Sequence, residues 1–196
     1  MESVRHLTGF TLAELLIALS ILGLIATFTI PKVLVAQQDM TYRANAKDVA
    51  AAISAAYDRL RLEGQLSPDT KINDLTPFLN YVPVYTGIMD DTYTDTNINC
   101  SNAVFACLKL HNGGTIAYRK DAAFGGTATT NALPIHFDPD GKVTDGTTNG
   151  PGKSVSFFLY YNGRIVDRAH VLAGTSNTAA TYGAQPNKVP PWFSWD

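Results

Sequence analysis

Gly9-Phe10-Thr11-Leu12-Ala13-Glu14 opens an apolar run that continues to Ile30 and places one carboxylate inside a segment of membrane length. From Phe10 to Ile30 the run holds twenty-one residues with Glu14 as its sole charge. As a helix rising about 1.5 Å per residue it spans about 31 Å, the thickness of a hydrocarbon core. At the bilayer centre a lone acidic side chain costs roughly 2.5 to 3.5 kcal/mol on insertion scales, and such residues are usually paired and functional. Glu14 is therefore expected to need a cation.

Working outward, Met1 to Gly9 are short and mostly polar with a single Arg, and Lys32 closes the run, so charge bias alone does not fix an orientation. Three plainer explanations compete. A secretory signal peptide has a shorter apolar centre and a small-residue cleavage site; the length and Glu14 argue against it. A simple signal anchor tolerates the length but gains nothing from Glu14. A soluble core helix is rarely apolar on every face.

Gly9 followed by Phe10-Thr11-Leu12-Ala13-Glu14-Leu15-Leu16-Ile17, with Pro31-Lys32 at the far end, resembles the amino-terminal signature of type IV pilins and type II secretion pseudopilins. The resemblance covers Thr8 to about Lys32; the remainder is similar only in layout. It implies that a prepilin peptidase cuts between Gly9 and Phe10, that the new Phe10 amine is N-methylated, and that Glu14 offsets the terminal amine of a neighbouring subunit during filament assembly. One feature departs from the family pattern: Leu7 and Thr8 precede the cut, and the basic residue, Arg5, lies further back. Gly23 and Pro31 mark positions of helix bending, because proline removes an amide donor and crowds the preceding turn. By resemblance the Gly23 to Pro31 segment extends when subunits pack; the alternative is a simple kink in a lipid-facing helix.

Beyond Pro31 helix formers persist, and Val49, Ile53, Ala56, Tyr57 and Leu60 recur at steps of three and four opposite Lys47, Asp48, Asp58 and Arg59. That stripe predicts packing on a following head, and Gly64 predicts the stop. The helix from Phe10 would then be of order 80 Å long. Ser67-Pro68-Asp69 suggests a second, short helix ending near Pro77. Two hairpins are predicted, Val104–Leu110 with Thr115–Lys120 around Asn112-Gly113-Gly114, and Val155–Tyr161 with Arg164–Asp167 around Asn162-Gly163. Ile135 and Phe137 alternate with His136 and Asp138, predicting a further strand with a buried and an exposed side. Residues 124–131, 145–152 and 174–187 read as loops. The predicted class is α+β, a pilin-like long helix on an antiparallel sheet. Its divisions are a leader (1–9), a membrane and filament-core helix (10–30), an amphipathic continuation (31–64) and a globular head (65–196).

With 15 basic and 17 acidic residues and a net charge of −2, the chain has no basic block suited to phosphate neutralisation, so nucleic acid is not an expected partner. Cys100 and Cys107 are the sole cysteines. If the family's orientation holds they lie outside the cytoplasm, where a disulfide is favoured over two buried thiols. His136-Phe137-Asp138-Pro139-Asp140-Gly141, with Asp145, offers oxygen ligands for calcium, but these residues are also the usual turn formers, and no metal or other cofactor is assigned. Asp90, Asp91, Asp95 and Asn97 read as a solvated loop. His111 and His170 stand alone, and no nucleophile elbow, phosphate loop or zinc-binding helix is present, which leaves no catalytic residues and no enzyme reading. The tail Val189-Pro190-Pro191-Trp192-Phe193-Ser194-Trp195 is read as a strap over the sheet or as a contact site.

The expected function is that of a structural filament subunit, a pilin or pseudopilin, held in the inner membrane by a single pass with its head outside the cytoplasm before it enters a pilus or pseudopilus. The implied partners are related pilin subunits, prepilin peptidase, an assembly platform with its ATPase, and membrane lipid before assembly. The rival is a monomeric, signal-anchored extracytoplasmic module that binds a surface ligand or carbohydrate.

Overall fold

The computed structural model describes residues 11–89, 98–141 and 153–195. A helix, α1, runs from Leu12 to Leu62. The chain divides into two compact units, residues 1–40 and 41–196, each considered by itself.

In the first unit the large apolar side chains from Leu12 to Val35 stand 48–76% exposed. Nothing within that unit covers them, as expected of a helix apolar on all faces. Leu12–Leu62 is long and apolar enough to cross a membrane.

In the second unit α1 turns amphipathic, and Ala46, Val49, Ala50, Ile53, Ala56, Tyr57 and Leu60 are buried. The predicted stripe is thus the packing face. At the helix end Gly64 adopts φ +71°, its N–H donates to Arg61 C=O at 3.1 Å, and Gln65 N–H donates to Leu60 C=O at 3.1 Å. This pair of bonds is a Schellman motif, which satisfies two of the last carbonyls and needs the left-handed conformation that glycine allows. The short helix α2 (Ile72–Leu75) follows, and Pro77 converts its continuation into a 3-10 turn, Thr76–Phe78.

Among the described residues the head holds a six-stranded antiparallel sheet in the order β1-β4-β5-β6-β7-β8. The strands are β1 Tyr81–Val84, β4 Phe105–Leu110, β5 Thr115–Arg119, β6 Ala132–Asp138, β7 Val155–Tyr160 and β8 Ile165–Asp167. Two-residue strands pair as β2 (Ile88–Met89) with β3 (Ile98–Asn99), and as β9 (Thr175–Ser176) with β10 (Thr181–Tyr182). Both predicted hairpins form, as β4–β5 and β7–β8, and the predicted lone strand is β6. The small pairs escaped the sequence reading because two residues carry no period to detect.

Alternation places Leu133, Ile135, Phe137, Val155, Phe157 and Leu159 on the face toward α1, where they join Ile53, Tyr57 and Leu60 in one core. The opposite face is covered too. Met89, Ile98, Phe105 and Ala117 form one cluster there, and Ala132, Phe158, Tyr160 and Val166 another. For this reason the expectation of an exposed side for β6 needs correction, since Asp138 is 1% exposed. The sheet is a middle layer rather than an outer wall. At the hairpin tip Gly163 has φ +87°, a Cβ there would lie 2.7 Å from Tyr57 Cε1, and the Tyr57 hydroxyl donates to Tyr161 C=O. The β7–β8 turn is thereby seated directly on α1.

Candidate assembly and processing site

Gly9 and Phe10 lie outside the described residues, so the first functional side chain with geometry is Glu14, on the first turn of α1. Thr11 N–H and Thr11 Oγ1 both donate to Glu14 Oε2 at 2.8 Å, and Glu14 N–H donates back to Thr11 Oγ1 at 3.3 Å. This reciprocal arrangement is a capping box, Thr-x-x-Glu, which satisfies helix-start donors that have no partner inside the helix. Thr11 is the partner of Glu14 that the sequence reading did not single out. Its signal was present, because Thr11 precedes Glu14 by the three residues that the motif requires.

The capping box changes the chemistry expected of Glu14. Among the described residues the carboxylate meets donors rather than a cation, and Oε2 accepts from both the backbone N–H and the hydroxyl of Thr11. From these residues Oε1 accepts no hydrogen bond. The remaining polar groups of the apolar half are closed internally. Ser20 Oγ donates to Leu16 C=O at 2.8 Å, Thr27 Oγ1 to Gly23 C=O at 2.8 Å and Thr29 Oγ1 to Ile25 C=O at 2.9 Å. Such bonds to the carbonyl four residues back allow hydroxyls to sit in lipid. Glu14 is left as the single charged residue between Leu12 and Ile30. Gly23 and Pro31 both fall inside the uninterrupted helix Leu12–Leu62.

In the head, Cys100 and Cys107 are joined by a disulfide with their Cα atoms 5.5 Å apart. It ties the residue following β3 to β4 and lies within the Met89, Ile98 and Phe105 cluster. The His136 to Gly141 stretch does not converge as a ligand set. His136 Nδ1 lies 3.0 Å from Ser156 Oγ, Asp140 N–H donates to Asp138 Oδ1 at 3.3 Å, and Asp140 Oδ2 pairs with Lys153 Nζ at 3.3 Å. Burial, the largest influence on Lys153, works against its charge. Its hydrogen bonds to Tyr42 and Asp140, together with their charges, outweigh that and raise its pKa. Asp145 and the Asp90 to Asn97 acids lie outside the described residues.

The tail folds back onto the core. Trp192 and Phe193 are buried, Phe193 packs edge-on and Trp195 tilted against Phe157 with ring centroids 5.7 Å away, and Arg43 Nε and Lys47 Nζ donate to the carbonyls of Trp192 and Trp195, each at 3.2 Å. The tail is a strap, fixed by apolar packing and by two helix cations that cap its free carbonyls.

Residues 5–30 match the family model described as the prokaryotic N-terminal methylation motif, which is the prepilin signature of type IV pilins and pseudopilins. The match begins before the Gly9–Phe10 bond and ends with the apolar run, so it contains the Thr11–Glu14 box and Gly23. Over these residues the chain carries the motif of proteins that are processed by prepilin peptidase and assembled with related pilin subunits, and its long apolar helix followed by an antiparallel sheet is a pilin-like layout. No curated protein and no solved structure matches it.

Proposed function

We propose that this chain is a filament subunit, stored in the inner membrane and then stacked through its amino-terminal helix by an assembly platform and its ATPase. Residues 1–9 act as the leader, 10–30 as membrane anchor and later filament core, 31–64 as the helix that carries the head, and 65–196 as the head itself. Prepilin peptidase removes the leader at Gly9–Phe10, and Phe10 becomes the N-methylated terminus. The observation that carries this reading is Glu14, the one charge in a lipid-length helix, placed four residues after Phe10 within the matched motif.

Glu14 works by recognition. Oε2 is held by Thr11, which fixes the rotamer, and Oε1 is left for the cationic Phe10 amine of an adjacent subunit. A charge left alone in low dielectric is penalised far more than a paired one, so a subunit out of register is rejected. The disulfide fits a head outside the cytoplasm, because such bonds persist in oxidising compartments.

Amino-terminal mass spectrometry of the mature protein tests the proposal. A methylated Phe10 is the expected result; an intact Met1 on a dispersed membrane protein would show a simple anchored module instead.

A further inference from the structure

Beyond the apolar run α1 carries Asp39 and Arg43, both half-exposed. Among the described residues Asp39 accepts no hydrogen bond and Arg43 meets no carboxylate. Arg43 Nε donates instead to Trp192 C=O at 3.2 Å, a neutral partner that leaves the terminal nitrogens of the guanidinium with donors to spare. An acid four residues ahead of a base on a helix is the order that ordinarily closes into a pair. Here the base is drawn to the tail.

The spacing of these charges repeats that of the amino terminus. Asp39 follows Phe10, and Arg43 follows Glu14, by the same 29 residues, and eight turns at 3.6 residues each contain about 28.8. The two positions therefore recur on the helix period with their signs reversed, a terminal amine and then an acid below, an acid and then a cation above. The proposed pairing of Glu14 with the Phe10 amine of an adjacent subunit sets one copy four residues ahead of the other. Identical subunits stacked by one repeated movement keep that offset at every level. The same step brings Asp39 of one copy to the level of Arg43 of the next.

We propose that Asp39 pairs with Arg43 of a second copy of this chain, and that this contact locks the register set by Glu14 and Phe10. The inference rests on the proposed function for its offset and adds a charge-inverted contact outside the apolar run. Two copies level with each other would set Asp39 against Asp39 and Arg43 against Arg43, so the unstaggered arrangement is rejected by repulsion. The tail contributes by holding the Arg43 side chain through Nε.

Two altered chains separate a pair between subunits from one within a helix. Asp39→Arg gives a chain basic at both positions, and Arg43→Asp gives a chain acidic at both. Expressed alone with the assembly machinery, each should yield at least about tenfold fewer sheared filaments, because every contact between copies then joins like charges. Expressed together they should restore filaments that hold the two chains in equal amounts, since only alternation joins opposite charges. Undiminished filaments from either chain alone overturn the proposal. So does a mixture that fails to recover while both chains accumulate in the membrane, which would assign the pair to a single helix. Should Arg43→Asp fail to accumulate through loss of its tail contact, Arg43→Lys filaments treated with a water-soluble carbodiimide decide the matter. The introduced amine and the Asp39 carboxylate should condense to an amide, the carbodiimide taking up the water as a urea, and give a ladder of covalent multimers that the added change Asp39→Asn abolishes. Monomers alone would overturn the proposal. Failure of the Glu14 reading is seen separately, in filaments that persist with Glu14→Ala.

Discussion

The two halves of α1 differ in their patterning and reach opposite solutions. From Leu12 to Val35 every large apolar side chain is exposed, whereas between Ala46 and Leu60 the stripe of Ala46, Val49, Ala50, Ile53, Ala56, Tyr57 and Leu60 is at most 5% exposed. The second half finds its cover within the chain, on the sheet. The first half cannot, because an all-round apolar surface has no polar face to leave in water. Its cover must come from lipid or from other subunits. On the proposed function, specificity then rests on Glu14, the one charge between Leu12 and Ile30. Substitutions in the two halves should accordingly fail in different assays.

The largest effect is expected from Glu14→Ala. The chain should insert, be processed and reach normal levels in the membrane, since removing a charge only eases insertion. Filaments should be lost by at least about tenfold, as a coupling of the order of 1.4 kcal/mol per contact already demands. Electron microscopy of sheared filaments beside a membrane immunoblot reads both quantities, and undiminished polymers would refute the pairing role.

The opposite outcome is expected from Phe157→Ala. Its ring is fully buried, between the ring of Phe137 and the tail aromatics Phe193 and Trp195. Removing it should lower head stability by about 3 to 5 kcal/mol while leaving membrane insertion intact. Thermal melting followed by near-ultraviolet dichroism is the measurement.

The same contrast explains what the sequence disclosed. Period carries information only where a surface has two sides, so the Val49 to Leu60 stripe, the Asn-Gly hairpins and the Gly64 stop were legible. The β2–β3 and β9–β10 pairs were not, because each strand is two residues long. Asp138 was misplaced for a related reason. Alternation tells which face of β6 it takes, but not that the outer face is itself roofed by the Met89 and Phe158 clusters. At the candidate site Glu14 was legible as an anomaly of charge, and Thr11 was overlooked because a capping box draws notice in a polar helix start rather than inside an apolar run.

A smaller loss is expected on removing the disulfide. Cys100→Ser with Cys107→Ser opens a loop with a sequence separation of 7, worth about 2.5 kcal/mol in the chain-entropy account. The effect should be local to the outer cluster. Hydrogen exchange should rise at Met89, Ile98 and Phe105 and leave the Tyr57 core protected.

The smallest effect, and the one with a sign of its own, belongs to Tyr118. Its hydroxyl donates to Asn73 Oδ1 at 2.6 Å, joining β5 to α2. Burial pushes its pKa up to about 12, with Tyr81 adding to the shift. Tyr118→Phe removes one hydrogen bond and should cost about 1 kcal/mol at neutral pH. Above the unfolded value near 10 the unfolded chain gives up the tyrosine proton before the folded one does. The folded state then binds more protons, and the stability carried by this group, fully present below pH 10, is lost as pH climbs toward 12. Phenylalanine has no such loss. The gap between the two proteins in denaturant melts should therefore narrow across pH 10 to 12 and close or reverse at the upper end. A gap that stays constant through that window would mean that the Tyr118 hydroxyl is open to solvent, and that α2 is not held on the sheet at this point.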